Sequence, residues 1–205
     1  MADADKPPGR LAQGIINFRE YERITGFWQI ARRALANNGF DGVLTTLGLL
    51  MGSYLAGVRS APIVIRTGIS TSIAMGISGA WGAYLAESAE RGRELAELEQ
   101  ISLTDLGGTK IARASRAAVI VVAIVDGMSP LIASLIVLIP MLLSEAIGDI
   151  STSYVLCILV ALASLFGLGV FLGSIVGGRL IQYGLRTVVA GIVAMAASWL
   201  LGATA

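Results

Sequence analysis

The 205-residue chain contains no histidine and a single cysteine, and only 14% of it is charged. Without histidine it lacks the commonest ligand for zinc and copper and the commonest proton shuttle near neutral pH. One thiol, Cys157, excludes an internal disulfide. The net charge of +1 carries no basic stripe, so no nucleic-acid partner is expected. The N-terminal MADADKPPGR has no apolar core, and no cleaved signal peptide is expected there. There is no Ser/His/Asp set, phosphate-binding glycine loop or paired-cysteine metal motif, so nothing argues for an enzyme.

What fills the chain instead is apolar: 55% of residues are hydrophobic and the mean hydropathy is +0.77. Soluble domains carry roughly 25% charged residues. The solvent for most of this surface must be lipid, so the expected fold class is an all-α polytopic membrane protein. Residues 1–14 read as a disordered tail, and residues 15–205 as a single membrane domain. Residues 15–36 set Ile16, Phe18, Tyr21, Ile24 and Phe27 against Arg19, Glu20, Arg23, Arg32 and Arg33. That three- and four-residue recurrence predicts an amphipathic helix at the membrane surface. Five transmembrane helices are expected to follow, at about 38–58, 62–86, 116–143, 153–176 and 185–203. The third contains Pro130 and Pro140. Proline removes a backbone donor, so a kink or break is expected near Pro130. Thirteen of the fifteen basic residues fall in the N-terminal region, the 87–116 segment and the turn before span five. The positive-inside rule then puts the N-terminus in the cytoplasm, the C-terminus outside and 87–115 on the cytoplasmic side.

Two carboxylates fall inside spans, Asp41 and Asp126, each followed by glycine. An intramembrane carboxylate is expensive and points to function. Thr45 lies one turn from Asp41 on the same face, and a carboxylate beside hydroxyls suits a hard cation or a proton. Against this, Asp41 near the start of its span would serve as a helix cap, and Asp126 as a structural hydrogen-bonding group beside Pro130. Met75 sits among Ser72, Gly76 and Ser78, a stretch polar enough to line a path. Beyond span two, Glu87, Glu90, Glu94 and Glu97 share one helical face. Stacked carboxylates can hold a divalent cation, but Arg91 and Arg93 lie at pairing distance along the helix and would neutralise them. Small residues recur at four-residue steps, Gly48, Gly52 and Ala56 in span one and Gly169, Gly173 and Gly177 in span four. Such ridges let helices approach, within a chain or across a dimer seam.

RRALANNGFDGVLTTLGLLMG, SIAMGISGAWGAYLAESAERGRELAELE, DGMSPLIASLIVLIP and GLRTVVAGIVAMAASWLLG resemble the vacuolar iron transporter family over most of residues 31–204. The resemblance implies a homodimer of five-span protomers that moves Fe²⁺ or Mn²⁺ out of the cytosol in exchange for protons. The path would lie at the dimer interface, with no permanently bound cofactor. It implies that Asp41 matches the family's span-one aspartate and that Glu87 to Glu99 match its glutamate-rich extension of span two. Plant members carry a glutamate and a methionine in span two where this chain has Thr71 and Gly79, and their cytoplasmic metal-binding domain is larger. Those differences keep a second reading open, a non-transporting membrane subunit that binds a partner. The expected location is the plasma membrane of a prokaryote.

Overall fold

The computed structural model describes residues 10–203, and every regular element among them is a helix. They are α1 (Arg10–Thr25), α2 (Phe27–Leu55), α3 (Ala61–Ser102), α4 (Lys110–Leu142), α5 (Ser144–Ile147), α6 (Ile150–Val176) and α7 (Leu180–Ala203). The tail expected over 1–14 lies outside the described residues through position 9. From Arg10 the chain is already helical, since Arg-Leu-Ala-Gln are all good helix formers.

The amphipathic helix expected over 15–36 is divided. Gly26 takes a left-handed conformation, φ 59°, which ends α1, and Phe27 starts a new helix that runs unbroken to Leu55. Residues 27–36 therefore belong to the same rod as span one. Only glycine adopts this backbone routinely, which is why the break falls there.

Among the described residues, four helices are long and apolar enough to cross a membrane: Ala61–Ser102, Lys110–Ile147, Ile150–Val176 and Leu180–Gly202. Their outward faces carry Ile73, Ile77, Ile124, Ile132, Leu159, Ile181 and Leu200, all exposed. Contiguous exposed apolar surface of this extent marks contact with lipid. α2 is less apolar, because Asn37, Asn38, Asp41, Thr45 and Thr46 interrupt it. It packs against α3, α4, α6 and α7.

The core forms around that helix. Val43, Leu47 and Leu50 of α2 meet Val64 of α3, Val137, Leu138 and Met141 of α4, and Tyr154, Cys157, Ala161 and Leu165 of α6. A smaller cluster joins Phe27 to Ala118 and Val122 of α4, with Tyr21 of α1 against it. The Tyr154 hydroxyl donates to the Val58 carbonyl at 3.0 Å and closes the end of the bundle near the α2–α3 turn.

α4 is continuous through both prolines, so the break expected at Pro130 does not occur. Two serines of α4 that flank Pro130 tie this stretch to α2. Ser129 Oγ donates to the Leu35 carbonyl at 2.5 Å, and Ser134 Oγ donates to the Gly42 carbonyl at 3.1 Å. A helix packed among others can hold a proline without breaking.

Candidate functional site

Three helices build the site. At Gly42, α2 comes so close to α4 that an added Cβ would stand 2.6 Å from the Pro130 carbonyl oxygen. At Gly76 and Gly127, α3 and α4 touch backbone to backbone, with an added Cβ on Gly127 2.6 Å from the Gly76 carbonyl oxygen. These two crossings hold the polar turn of α2 beside the middle of α3 and the proline turn of α4.

Between them lies a cavity of about 400 Å³ lined by Asn38, Asp41, Ala74, Met75, Ser78, Gly79 and Pro130. Asp41 and Met75, far apart in sequence, thus face one space. Asp41 sits in mid-helix, fourteen residues after Phe27 by numbering, so it is not a helix cap. Its side of α2 is exposed on the protomer surface, and Thr45 lies on the same exposed side one turn on. Thr45 does not line the cavity.

Asp126 is half-buried behind this cavity. Its Oδ1 accepts a hydrogen bond from Asn38 Nδ2, and its Oδ2 stands 3.5 Å from where a Cβ on Gly79 would be. Asn38 therefore lines the cavity and joins it to Asp126. Pro130 has no N–H, so it leaves the Asp126 backbone carbonyl without its usual donor. That oxygen would lie 3.2 Å from a Gly79 Cβ. The absence of a side chain at Gly79 is what lets both oxygens of Asp126 approach α3. Ser78 belongs to the polar stretch around Met75 noted in the sequence, whereas Asn38 does not stand out there. A buried amide one turn before an intramembrane aspartate is itself a costly polar group, and that was the available signal.

The glutamate face is arranged differently from a metal cage. Arg91 lies between Glu87 (3.5 Å) and Glu94 (3.2 Å), and Arg93 between Glu90 (2.8 Å) and Glu97 (3.7 Å). All four carboxylates face an arginine. Among the described residues, no three acidic or cysteine side chains converge as metal ligands. Arg91 also donates to the Thr25 carbonyl at 3.2 Å, and Lys110 pairs with Glu20 at 2.8 Å. These contacts tie α1 to the α3 arm and to the start of α4.

The two small-residue ridges have different surroundings. An added Cβ on Gly169 would collide with Thr187 and the Tyr183 backbone, so the α6 ridge seats α7 within the protomer. At Gly48 and Gly52 an added Cβ meets nothing within 4 Å. That ridge continues the Asp41–Thr45 side of α2 along the outside of the protomer.

The family model of the VIT family matches residues 33–104 and 101–203, which takes in all three site helices. This chain belongs to the VIT family. The VIT family comprises membrane metal-ion transporters, and the resemblance read from span one through span five is that membership. The VIT chain described here is also 32% identical over 167 residues to an uncharacterized protein of Methanocaldococcus jannaschii, covering 80% of this chain and 84% of the relative.

Proposed function

We propose that this VIT-family protein exports Fe²⁺ or Mn²⁺ from the cytosol in exchange for protons, as a homodimer with Asp41 in the path. The observation that carries the reading is the cavity that unites Asp41 with Met75, Asn38 and Ser78. A carboxylate and an amide or hydroxyl oxygen suit any divalent cation, while a thioether favours a softer one than Mg²⁺ or Ca²⁺. One protomer supplies a single carboxylate and a single thioether here. Two protomers joined along the exposed Asp41–Thr45–Gly48–Gly52 side of α2 would supply two of each, enough to neutralise a 2+ ion. Asp126, held by the Asn38 amide, is the proton-carrying group in this reading.

α2, span one, completes a set of five spans. At 29 residues it is about 43 Å long, more than the roughly 30 Å of a hydrocarbon core. Its polar residues are tolerated because four helices surround it and its open side faces a path instead of lipid. With the basic residues inside, the N-terminus and the α3 arm are cytoplasmic and the C-terminus is outside, in a prokaryotic plasma membrane. A cation reaching Glu87, Glu90, Glu94 and Glu97 has to displace Arg91 and Arg93, so these residues serve as an entry surface and Asp41 as the binding group.

Fe²⁺ or Mn²⁺ uptake into proteoliposomes tests this. Asp41→Ala is expected to abolish it, and Met75→Ala to weaken Fe²⁺ transport more than Mn²⁺. Uptake unchanged in Asp41→Ala would take Asp41 out of the path, whereas no uptake by the wild type would favour a non-transporting membrane subunit, the reading that Thr71 and Gly79 support.

A further inference from the structure

The side of α3 turned away from Asp41 forms a second feature. Ala74, Met75 and Ser78 line the cavity described above, while Ile73, Ile77 and Ala80 line a groove with Ile124, Met128 and Leu131 of α4. The groove has a volume of about 310 Å³ and an almost wholly apolar lining, and its floor is the Gly76–Gly127 crossing. One turn further along both helices the lining changes character. A cavity of about 370 Å³ is bounded there by Tyr84, Ser88, Arg91, Ser115, Arg116 and Ile120.

The two form one track between α3 and α4, since Ala80 leads to Tyr84 and Ile124 leads back to Ile120 at helical spacing. The change from polar to apolar falls where the basic residues of α4 end, at Arg116, and the acidic residues of α3 begin, at Glu87. Trp81 and Tyr84 are exposed at this level with ring centroids 6.0 Å apart, as suits a headgroup boundary. Arg91 is neutralised by Glu87 and Glu94. Arg116 is not: it donates to the Gly107 carbonyl at 3.4 Å and meets no carboxylate among the described residues. Arg113, exposed one turn earlier, adds a second cation on the same side of α4. From Ile120 to Leu131 the helix rises about 16 Å, close to the roughly 15 Å depth of one leaflet's hydrocarbon.

We infer that this track binds an anionic phospholipid of the cytoplasmic leaflet, its phosphate at Arg116 with Ser88 and Ser115, and one acyl chain along Ile77, Ile124 and Met128. The cytoplasmic assignment rests on the orientation in the proposed function, whereas lipid binding does not depend on metal transport. A phospholipid is favoured over a helix of a second copy because the track pairs a cationic pocket with an apolar slot one leaflet deep.

The test is native mass spectrometry on delipidated full-length protein in detergent, titrated with phosphatidylglycerol or phosphatidylcholine. Phosphatidylglycerol is expected to bind more tightly, and Arg116→Gln to reduce its affinity about fivefold, the effect of one basic residue near an anionic headgroup. Gly92→Leu projects a side chain into the open space of the headgroup cavity and should lower it further. Should that variant misfold, Arg116→Gln with an unchanged circular dichroism spectrum decides alone. Equal affinity for the two lipids would overturn the inference. So would unaltered phosphatidylglycerol binding in both variants, displacement of phosphatidylglycerol from wild type by an equal concentration of glycerol 3-phosphate, or loss of the oligomer in Gly92→Leu with lipid affinity intact.

Discussion

Gly42 stands where the Asp41 turn of α2 presses on Pro130 of α4. The atoms a side chain would meet there are backbone: carbonyl oxygen, Cα and carbonyl carbon of Pro130, at 2.6, 2.7 and 3.0 Å. Backbone cannot swing aside as a side chain can, so Gly42→Ala must push two core helices apart. The expected loss is about 1–3 kcal/mol, the usual range for overpacking, read as a lower unfolding midpoint in detergent. Since Asp41 and Asn38 flank this crossing, metal transport should fall in the same variant. At this scale the sequence was only partly legible. Asp41 and Met75 stood out because a carboxylate and a polar-flanked thioether are unusual in a span. Asn38 did not, and the close approach of Asp126 to Gly79 was not legible either, because both depend on what α4 brings opposite them, and no local pattern encodes a partner that far along the chain.

The elements show the same division. The start of α3, the end of α4 and both ends of α6 and α7 fall within a few residues of the apolar segments, since lipid imposes a length that hydropathy reveals directly, while α3 runs on to Ser102 and α4 starts at Lys110 as polar extensions of their spans. The start of α2 was misplaced because its first turns look amphipathic, while one left-handed glycine at position 26 decides where the rod begins. The start of α6 is set by chemistry that can be titrated. Asp149 caps it, accepting from the Thr152 hydroxyl at 2.7 Å, the Thr152 amide at 2.8 Å and the Ser151 amide at 3.3 Å. The Thr152 hydroxyl above all, then the two amides, holds the Asp149 carboxyl below its ordinary range. A group lowered in this way contributes stability above its unfolded pKa, about 3.9, and loses it as pH falls through the folded value. Asp149→Ala should therefore lower the thermal midpoint at pH 6, with the gap to wild type closing as the pH drops below about 4.

For the whole molecule, the open side of α2 is the feature a single protomer leaves unexplained. Gly48 and Gly52 have open space around them, and Asp41 and Thr45 share their side of the helix. Gly48→Leu, which also raises helix propensity, should leave the protomer folded. If two copies meet along this side, the leucine prevents their approach, and light scattering should show the dimer replaced by monomer. Metal uptake should vanish with it even though Asp41 is intact. The sequence displayed this ridge and the α6 ridge as equals. Only the packing of α7 onto Gly169 separates the one used within the chain from the one left free.

α3 has a mechanical consequence. Its 42 residues make a rod about 63 Å long, with its one proline, Pro62, confined to the first turn. The Gly76–Gly127 crossing lies unequally along it, about 22 Å from Ala61 and about 39 Å from Ser102. Such a rod, resting on that crossing, is a lever whose long arm extends beyond the apolar segment to the glutamate-bearing end. A force on the glutamate-bearing end, as when a cation displaces Arg91 from Glu87 and Glu94, would tilt the wall that carries Met75 without any hinge at the membrane surface.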